Sequence, residues 1–157
     1  MAYEIERKFL LRSDAWRDQV VKTLNIKQAY FCNTERASLR VRVTDDAAYL
    51  SSKTMTLDIR RHEFEYPIPV HDAEFMIEYM CTGSALIKHR HLVKHALHTW
   101  EIDEFLGDNV GLIVAEVELQ HEDQPFSKPD WLGEEVSNDI RYFNMSLVNN
   151  PYKNWTT

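Results

Sequence analysis

The chain has 157 residues, 44% of them hydrophobic, which is enough for one domain with a sizeable core, and we take residues 1–157 as a single domain. Its formal net charge of -7 argues against a general nucleic-acid binder, whose affinity rests on excess Lys and Arg. No apolar run approaches the roughly 18 residues of a membrane span, and the N-terminus lacks the hydrophobic core of a secretory signal. Cys32 and Cys81 lack the spacing of a metal site and are expected to be free thiols of a reducing compartment. We therefore expect a soluble cytoplasmic protein without nucleic-acid or membrane partners.

Strand-like segments dominate the chain and are separated by short polar breaks. The eight predicted strands cover 3–11, 27–32, 37–44, 47–54, 59–68, 86–93, 97–105 and 112–120. Their short connections are typical of an antiparallel sheet. The sequence therefore predicts a mainly β fold of the α+β class, in which eight antiparallel strands close into a barrel with flanking helices.

Three segments between and after the strands have the pattern of helices. The first covers 14–24, with Ser13 as its N-cap and an apolar side that includes Trp16 and Leu24. A second follows Pro69 and is expected to be capped by Asp72. A third is predicted over 137–150, close to the end of the chain.

Charged side chains recur with the period of two that places them on one face of each strand. These rows are Glu4, Glu6 and Lys8; Arg40 and Arg42; Lys53 beside Ser51; Arg61, Glu63 and Glu65; Lys88 and Arg90; Glu101 and Asp103; and Glu116 and Glu118. Acids occupy the first, fifth, seventh and eighth strands and bases the third, fourth and sixth, while Lys8 and Arg61 join acidic rows. Half-buried antiparallel strands normally turn such a face to solvent. A solvated face, however, has no reason to sort its charges by strand.

We therefore interpret the charged rows as the lining of a wide barrel whose outer faces are apolar and covered by the helices. Desolvation costs several kcal/mol per ion, so about a dozen interior charges must be paired or must hold ions. A basic wall facing an acidic wall suits an oligophosphate bridged to divalent cations. Arg and Lys neutralise phosphate oxygens, and carboxylates take a hard cation such as Mg²⁺.

The charged rows also carry a family resemblance. The segment EIERKFL at 4–10 closely resembles the ExExK signature of the CYTH superfamily, the triphosphate tunnel metalloenzymes. Further matching motifs follow in order: LRVR at 39–42, SSK at 51–53, RHEFEY at 61–66, KHR at 88–90, EIDEF at 101–105 and AEVEL at 115–119. The tail WLGEEVSNDIRYFN at 131–144 resembles the bacterial branch of the family. The resemblance covers essentially the whole chain and implies an eight-stranded antiparallel tunnel with a charged interior.

The resemblance also implies roles for individual residues. The triphosphate would be held by Lys8, Arg40, Arg42, Lys53, Lys88 and Arg90, and Arg141 would close one tunnel mouth over the phosphates. Lys8 or Lys53 would act in catalysis by stabilising charge on the cleaved phosphoryl group. The acidic wall for Mg²⁺ or Mn²⁺ would consist of Glu4, Glu6, Glu63, Glu65, Asp103, Glu116 and Glu118. Within it, Glu4, Glu6 and Glu116 or Glu118 are expected to ligate the metal directly, and Asp103 to assist or orient.

The activity implied by the resemblance is metal-dependent hydrolysis of a small-molecule triphosphate. The opening motif, the short chain and the tail favour inorganic tripolyphosphate, cleaved to diphosphate and phosphate. Thiamine or nucleoside triphosphate hydrolysis, an adenylate cyclase-like activity and a non-catalytic polyphosphate- or nucleotide-binding module remain alternatives, and a dimer is left open. A purely structural barrel is disfavoured, because apolar residues would usually stabilise a core as well as internal ion pairs do.

A histidine-rich segment, KHRHLVKHALH, covers 88–98. Its His-x-His pattern at His89 and His91 suggests a transition-metal site. The two rings are expected on the outer face, however, in a segment that turns between two strands. A solvated cluster is therefore the favoured interpretation.

Overall fold

The computed structural model describes residues 2–156, which contain nine strands and two α-helices. The strands are β1 (Tyr3–Leu11), β2 (Val20–Asn33), β3 (Ala37–Val43), β4 (Ala48–Thr54), β5 (Arg60–Ile68), β6 (Thr82–His95), β7 (His98–Phe105), β8 (Ile113–Leu119) and β9 (Leu132–Glu135). The helices are α1 (Val70–Tyr79) and α2 (Asn144–Asn149), and 3₁₀ turns lie at Ala15–Gln19, Gly107–Asn109, Ile140–Tyr142 and Tyr152–Asn154. No helix within residues 2–156 has the length and apolar character needed to cross a membrane.

Eight of the strands form a closed antiparallel barrel, as the sequence predicted. Their order is β5-β4-β3-β2-β6-β7-β8-β1, and β1 pairs with β5 to close the cylinder. At this closure Glu4 lies opposite Arg61. β9 is a short ninth strand that pairs with the other end of β1, where Leu11 lies opposite Leu132. It was not predicted because four residues carry too little periodicity to be distinguished from a turn.

The predicted helix over 14–24 is wrong. Only Ala15–Gln19 is helical, as a 3₁₀ turn, and β2 begins at Val20, which pairs with Val93 of β6. The error has a simple cause. Trp16, Val20 and Leu24 are spaced by four residues, and that spacing places side chains on one face of a strand as well as of a helix. The β-branched residues in this segment then favour the strand.

The two predicted later helices are present, with corrections to their ends. Helix α1 starts at Val70 with Pro69 as its N-cap, and Asp72 lies in the first turn without capping it. An acidic side chain in that position interacts favourably with the helix dipole. The predicted helix over 137–150 is instead a 3₁₀ turn followed by α2, because Phe143 between them has an extended backbone (φ -68°, ψ 134°).

The apolar core lies outside the barrel, between the outer strand faces and the segments that cover them. The largest cluster surrounds Trp100 and includes Trp16 and Trp131, all fully or almost fully buried. The 3₁₀ turn carrying Trp16 and the segment over 120–131 cover this side, whereas α1 and the C-terminal segment cover two smaller clusters. Helices therefore cover only part of the outer face. The barrel interior is left to polar side chains.

Candidate active site in the barrel interior

The barrel encloses a cavity of about 210 Å³ whose lining is dominated by charge. Seven carboxylates and seven cationic side chains line it. The carboxylates are Glu4, Glu6, Glu63, Glu65, Glu101, Glu116 and Glu118, and the cations are Lys8, Arg40, Arg42, Lys53, Arg61, Lys88 and Arg90. The predicted charged interior is therefore confirmed. All the site residues predicted from the sequence line this cavity except Asp103 and Arg141.

Strand register brings these side chains together. Inward residues face each other across neighbouring strands, so Lys8 lies opposite Glu116, and Glu116 also lies opposite Glu101 on its other side. Between β4 and β5, Lys53 lies opposite Glu63. Because successive side chains alternate between the two faces, one slip of register would move every one of these charges to the apolar outer face.

One group of cations is formed by β3 and β4. Arg40 donates to the Ser51 hydroxyl at 3.2 Å and lies 3.8 Å from Glu65, while Arg42 lies 3.3 Å from Glu65. Burial, followed by the neighbouring charge of Arg40, lowers the pKa of Arg42 from its ordinary value. The Arg42 Nε atom is buried and has no hydrogen-bond partner within residues 2–156. This group therefore offers an anion a free donor, Arg42 Nε, beside two guanidinium charges.

A second group of cations is held by Asp103, which is only 1% exposed. Its carboxylate accepts from Lys88 Nζ at 2.7 Å and from Arg90 Nε and Nη2 at 2.8 and 2.9 Å. Burial alone would raise the pKa of Asp103, but Arg90 and Lys88 lower it below its ordinary value. Burial, helped by the charge of Arg90, lowers the pKa of Lys88 to about 8, although the charge of Asp103 opposes the shift. Asp103 thus lies behind the lining and orients Lys88 and Arg90, as a positioning residue would.

The C-terminal segment closes one end of the cavity. Phe143, Asn144 and Met145 join the lining, Lys8 Nζ donates to the Tyr142 carbonyl oxygen at 3.1 Å, and Lys88 Nζ donates to Asn144 Oδ1 at 2.9 Å. Lys8 is only 5% exposed, and its ammonium group also lies 3.3 Å from Glu116. Two lysines therefore hold this segment in place through their charged ends.

The structure does not bring Arg141 to this mouth. Its side chain is about half exposed, pairs with Asp139 at 2.6 Å and lies over the Trp155 ring at 5.2 Å. Asp139 is only two residues away and also accepts from the Arg141 backbone N–H, so the turn itself fixes the guanidinium outside the cavity. The expectation that Arg141 closes over the phosphates finds no support in this arrangement.

Three carboxylates of β1 and β8 share two cations: among the described residues, the ion-pair partners of Glu4, Glu6 and Glu118 are Lys53 and Arg61 alone. Glu6 and Glu118 lie directly opposite each other on β1 and β8. Glu118 has no ion-pair partner among residues 2–156, and its pKa is raised by burial and then by the charges of Glu4, Glu6 and Glu63. The buried Glu4 Oε1 lies 2.5 Å from Lys53 Nζ but makes no hydrogen bond of acceptable geometry. This set of oxygen donors fits a hard divalent cation, which would relieve the repulsion.

Sequence reasoning left several lining residues out of the site. Arg61 and Glu101 lie on the charged rows, so their alternation was a usable signal. Tyr30, Ser51 and Asn144 also line the cavity, but a single neutral polar residue carries no signal that distinguishes a barrel interior from any other position. Glu101 Oε2 lies 2.6 Å from Arg90 Nη1. Burial raises the pKa of Glu101 even though the charge of Arg90 opposes the shift.

Comparison with known proteins agrees with the fold. The model of the CYTH domain family matches residues 2–152. An inorganic triphosphatase of Acetivibrio thermocellus is 44% identical over 155 residues, 99% of each chain, and one of Nitrosomonas europaea is 33% identical over 149 residues, 92% of this chain and 96% of the other. The solved crystal structure of an inorganic triphosphatase, 32% identical, matches with a TM-score of 0.68 over 94% of this chain and 95% of that chain. The chain belongs to the CYTH family.

Proposed function

We propose that this protein hydrolyses inorganic tripolyphosphate to diphosphate and phosphate with the help of a divalent cation, Mg²⁺ or Mn²⁺. The observation that carries the proposal is the lining of seven carboxylates and seven cations, to which β3 and β6 contribute only cations and β7 and β8 only carboxylates among the charged residues. The relatives described above, which are inorganic triphosphatases, support the same substrate.

The basic parts of the wall suit a chain of phosphates. Arg40, Arg42 and Lys53 lie on β3 and β4, and Lys88 and Arg90 lie on β6, so cations reach the cavity from two sides. Guanidinium groups can bind phosphate oxygens in a bidentate way, whereas the lysines act as point charges. A linear polyanion would therefore be contacted along its length rather than at one end.

The dimensions of the cavity favour an inorganic substrate. Its volume of about 210 Å³ lies below the roughly 300–1,000 Å³ of pockets that take drug-sized ligands. Apolar contact is offered mainly by Tyr30, Phe143 and Met145, and these are dispersed among charges. The organic part of a thiamine or nucleoside triphosphate would have to project outside the barrel. These substrates remain the alternative enzyme activities.

The chain's own residues would supply the remaining elements of catalysis. A divalent cation held by Glu4, Glu6 and Glu118, with Glu116, Glu63 and Glu65 alongside, would neutralise phosphate oxygens and activate water when bound. Phosphoryl transfer depends mostly on positioning and on fixed charges. We assign Lys8 and Lys53 to the stabilisation of charge on the phosphoryl group that is cleaved. Asp103 would keep Arg90 and Lys88 in place for the phosphates.

Substrate binding would exchange partners inside the tunnel. The cations already contact carboxylates: Lys53 lies 2.5 Å from Glu4, and Arg90 lies 2.6 Å from Glu101. Phosphate oxygens would replace those carboxylates, and a divalent cation would compensate the carboxylates that are released. Triphosphate and metal should therefore strengthen each other's binding.

Phosphate release tests the proposal. Tripolyphosphate, ATP and thiamine triphosphate are each offered with Mg²⁺, Mn²⁺ or EDTA to the wild type, to Lys8→Ala and to the control Lys27→Ala, which removes an exposed lysine of β2. We expect metal-dependent release, fastest from tripolyphosphate, that Lys8→Ala lowers on the order of 100-fold and Lys27→Ala leaves unchanged. Faster release from an organic triphosphate would contradict the substrate. The absence of turnover with every metal would leave the non-catalytic binding module. The cytoplasmic location stays a prediction, and a dimer stays open.

A further inference from the structure

Two histidines and a glutamate form a cluster on the outside of the barrel, away from the tunnel. His89 and His91 project from β6, and Glu104 lies on β7 directly opposite His89. Each residue offers one ligand atom, and these atoms all lie within 4.8 Å of one another. All three side chains are half-buried. They alternate along the strands with the tunnel residues Lys88, Arg90 and Asp103 and therefore face the other way.

The cluster is held by further contacts of the kind that orient metal ligands. The Thr23 hydroxyl lies 2.9 Å from His91 Nδ1, and His91 Nε2 lies 3.0 Å from Glu104 Oε1. Arg17 donates to both carboxylate oxygens of Glu104, to Oε2 at 2.9 Å and to Oε1 at 3.4 Å. The Trp16 ring lies against the His91 ring, with 5.2 Å between centroids. In this arrangement Nε2–H donates to Glu104 Oε1 and Nδ1 can accept from the Thr23 hydroxyl. With a metal on Nε2 the proton would lie on Nδ1, where the Thr23 hydroxyl can accept it.

We propose that His89, His91 and Glu104 bind a divalent transition-metal ion, Zn²⁺ first of all, at a site separate from the tunnel. Two imidazoles and one carboxylate are the ligand set of zinc sites that keep an open position for water. Imidazole ligands select Zn²⁺, Cu²⁺ or Ni²⁺ over Mg²⁺, which prefers oxygen alone. This donor set is therefore distinct from the all-carboxylate wall inside the barrel.

The outer contacts fix the ligands of the site. Hydrogen bonds to the second nitrogen of a ligating histidine and to a ligating carboxylate orient both ligands, and here Thr23 and Arg17 supply them. Arg17 also places a positive charge near the site. Its hydrogen bond to Glu104 Oε2 (2.9 Å) is shorter than the one to Oε1 (3.4 Å), so Oε1 is the oxygen that would bind the metal.

An occupied site would tie together several segments around the tunnel wall. The ligands join β6 to β7, and their outer contacts add Thr23 of β2 and the 3₁₀ turn that carries Arg17. Lys88 and Arg90 lie on the inner face of the same stretch of β6. The inference does not depend on the proposed triphosphatase activity, because its ligands and its metal are different from those in the tunnel.

Equilibrium dialysis against Zn²⁺ in excess Mg²⁺ tests the site. The wild type is compared with His89→Ala and Glu104→Gln and with the control His95→Ala, which removes a histidine of the same strand and face that lies outside the cluster. We expect the wild type and His95→Ala to retain one Zn²⁺ more than the other two variants. Thr23→Val, which removes only the outer hydroxyl, should weaken binding by roughly 10–100-fold.

Two further measurements keep the outcome clear. Circular dichroism establishes that Glu104→Gln, which changes no shape, is folded, and visible absorption of bound Co²⁺ reports imidazole coordination. The proposal would be overturned by equal Zn²⁺ content in all the variants, or by a Co²⁺ spectrum that is the same in the wild type and in His89→Ala. The cluster would then be a hydrogen-bonded His–Glu–Arg network only. Because no phosphate is released in this assay, a negative result leaves the proposed triphosphatase activity unaffected.

Discussion

Replacing Asp103 by asparagine should cost more stability than any exposed charge change in this protein. The carboxylate is buried and makes three charge-assisted hydrogen bonds, one from Lys88 and two from Arg90. Asp103→Asn keeps the shape but leaves two buried cations without their shared counter-charge. Breaking a buried ion pair by removing one partner costs about 3–5 kcal/mol. For a chain of this length that corresponds to a fall in Tm of about 6–20 °C.

The pH dependence of this effect provides a sharper signature. Burial already lowers the pKa of Lys88 from 10.5 to about 8 in the wild type, so the folded state binds fewer protons than the unfolded state between those values. The contribution of Lys88 to the free energy of unfolding therefore rises with pH across that window. Without Asp103 the folded-state pKa of Lys88 falls further, and the window extends below pH 8. The destabilisation by Asp103→Asn should thus increase as the pH is lowered from 8 to 6.

Urea and thermal unfolding, followed by tryptophan fluorescence, measure the effect. The matched control is Asp108→Asn, which breaks the exposed ion pair with Lys153 (3.0 Å) and should change Tm little. An Asp103→Asn variant as stable as the control would refute the reasoning. A destabilisation that does not change with pH would refute it as well, because the loss of stability would then not come from the protonation of Lys88.

Four other outcomes follow from the same geometry. Gly133→Ala should destabilise the protein measurably in thermal unfolding, because its Cβ would lie 2.9 Å from the Leu10 carbonyl oxygen and would push β9 from β1; an unchanged Tm would contradict that packing. The affinity for tripolyphosphate, measured by calorimetry, should fall as the pH rises above about 8, where Lys88 loses its charge, and binding there should take up a proton; a flat profile would remove Lys88 from the binding groups. Tripolyphosphate should bind more tightly with Mg²⁺ than with EDTA, and equal affinities would contradict the exchange of ion pairs. Glu118→Gln should raise the Mg²⁺ concentration needed for half-maximal phosphate release, and an unchanged requirement would place the metal elsewhere.

Most of the tunnel lining was predictable because a barrel interior takes one face of every strand. Glu6 and Glu118 belong to different ends of the chain, yet the period of two assigns both to the interior without knowledge of their pairing. The contact of Lys53 with Glu4 was not predictable in the same way. It joins β4 to β1 and depends on how the barrel closes through β5.

The alternation along a strand shows which residues point inward, but it could not show which of these inward residues line the cavity. Glu101 and Asp103 are both inward, but only Glu101 reaches the cavity. Asp103 has the shorter side chain and lies directly opposite Arg90, which, with Lys88, encloses its carboxylate. The position of Arg141 could not be predicted for a related reason. Its motif is visible in the sequence, whereas its capture by Asp139 depends on the geometry of one turn.

The histidine cluster illustrates the limit of a local motif. The His-x-His pattern places two rings on one side of β6, and the solvated interpretation followed from the outward direction of that side. The direction is confirmed, but the rings are half-buried beside Trp16 and next to Glu104. Glu104 is contributed by the neighbouring strand, so only the register between β6 and β7 reveals a third ligand.

Phosphorus NMR of tripolyphosphate incubated with the protein tests the central claim most directly, because it observes the substrate and both products at once. With Mg²⁺ present, the account predicts that the tripolyphosphate signals are replaced by diphosphate and phosphate in equal amounts, and that EDTA prevents the change. Tripolyphosphate signals that broaden on binding but persist with every divalent cation would contradict the account, and the charged tunnel would then be a binding site without turnover.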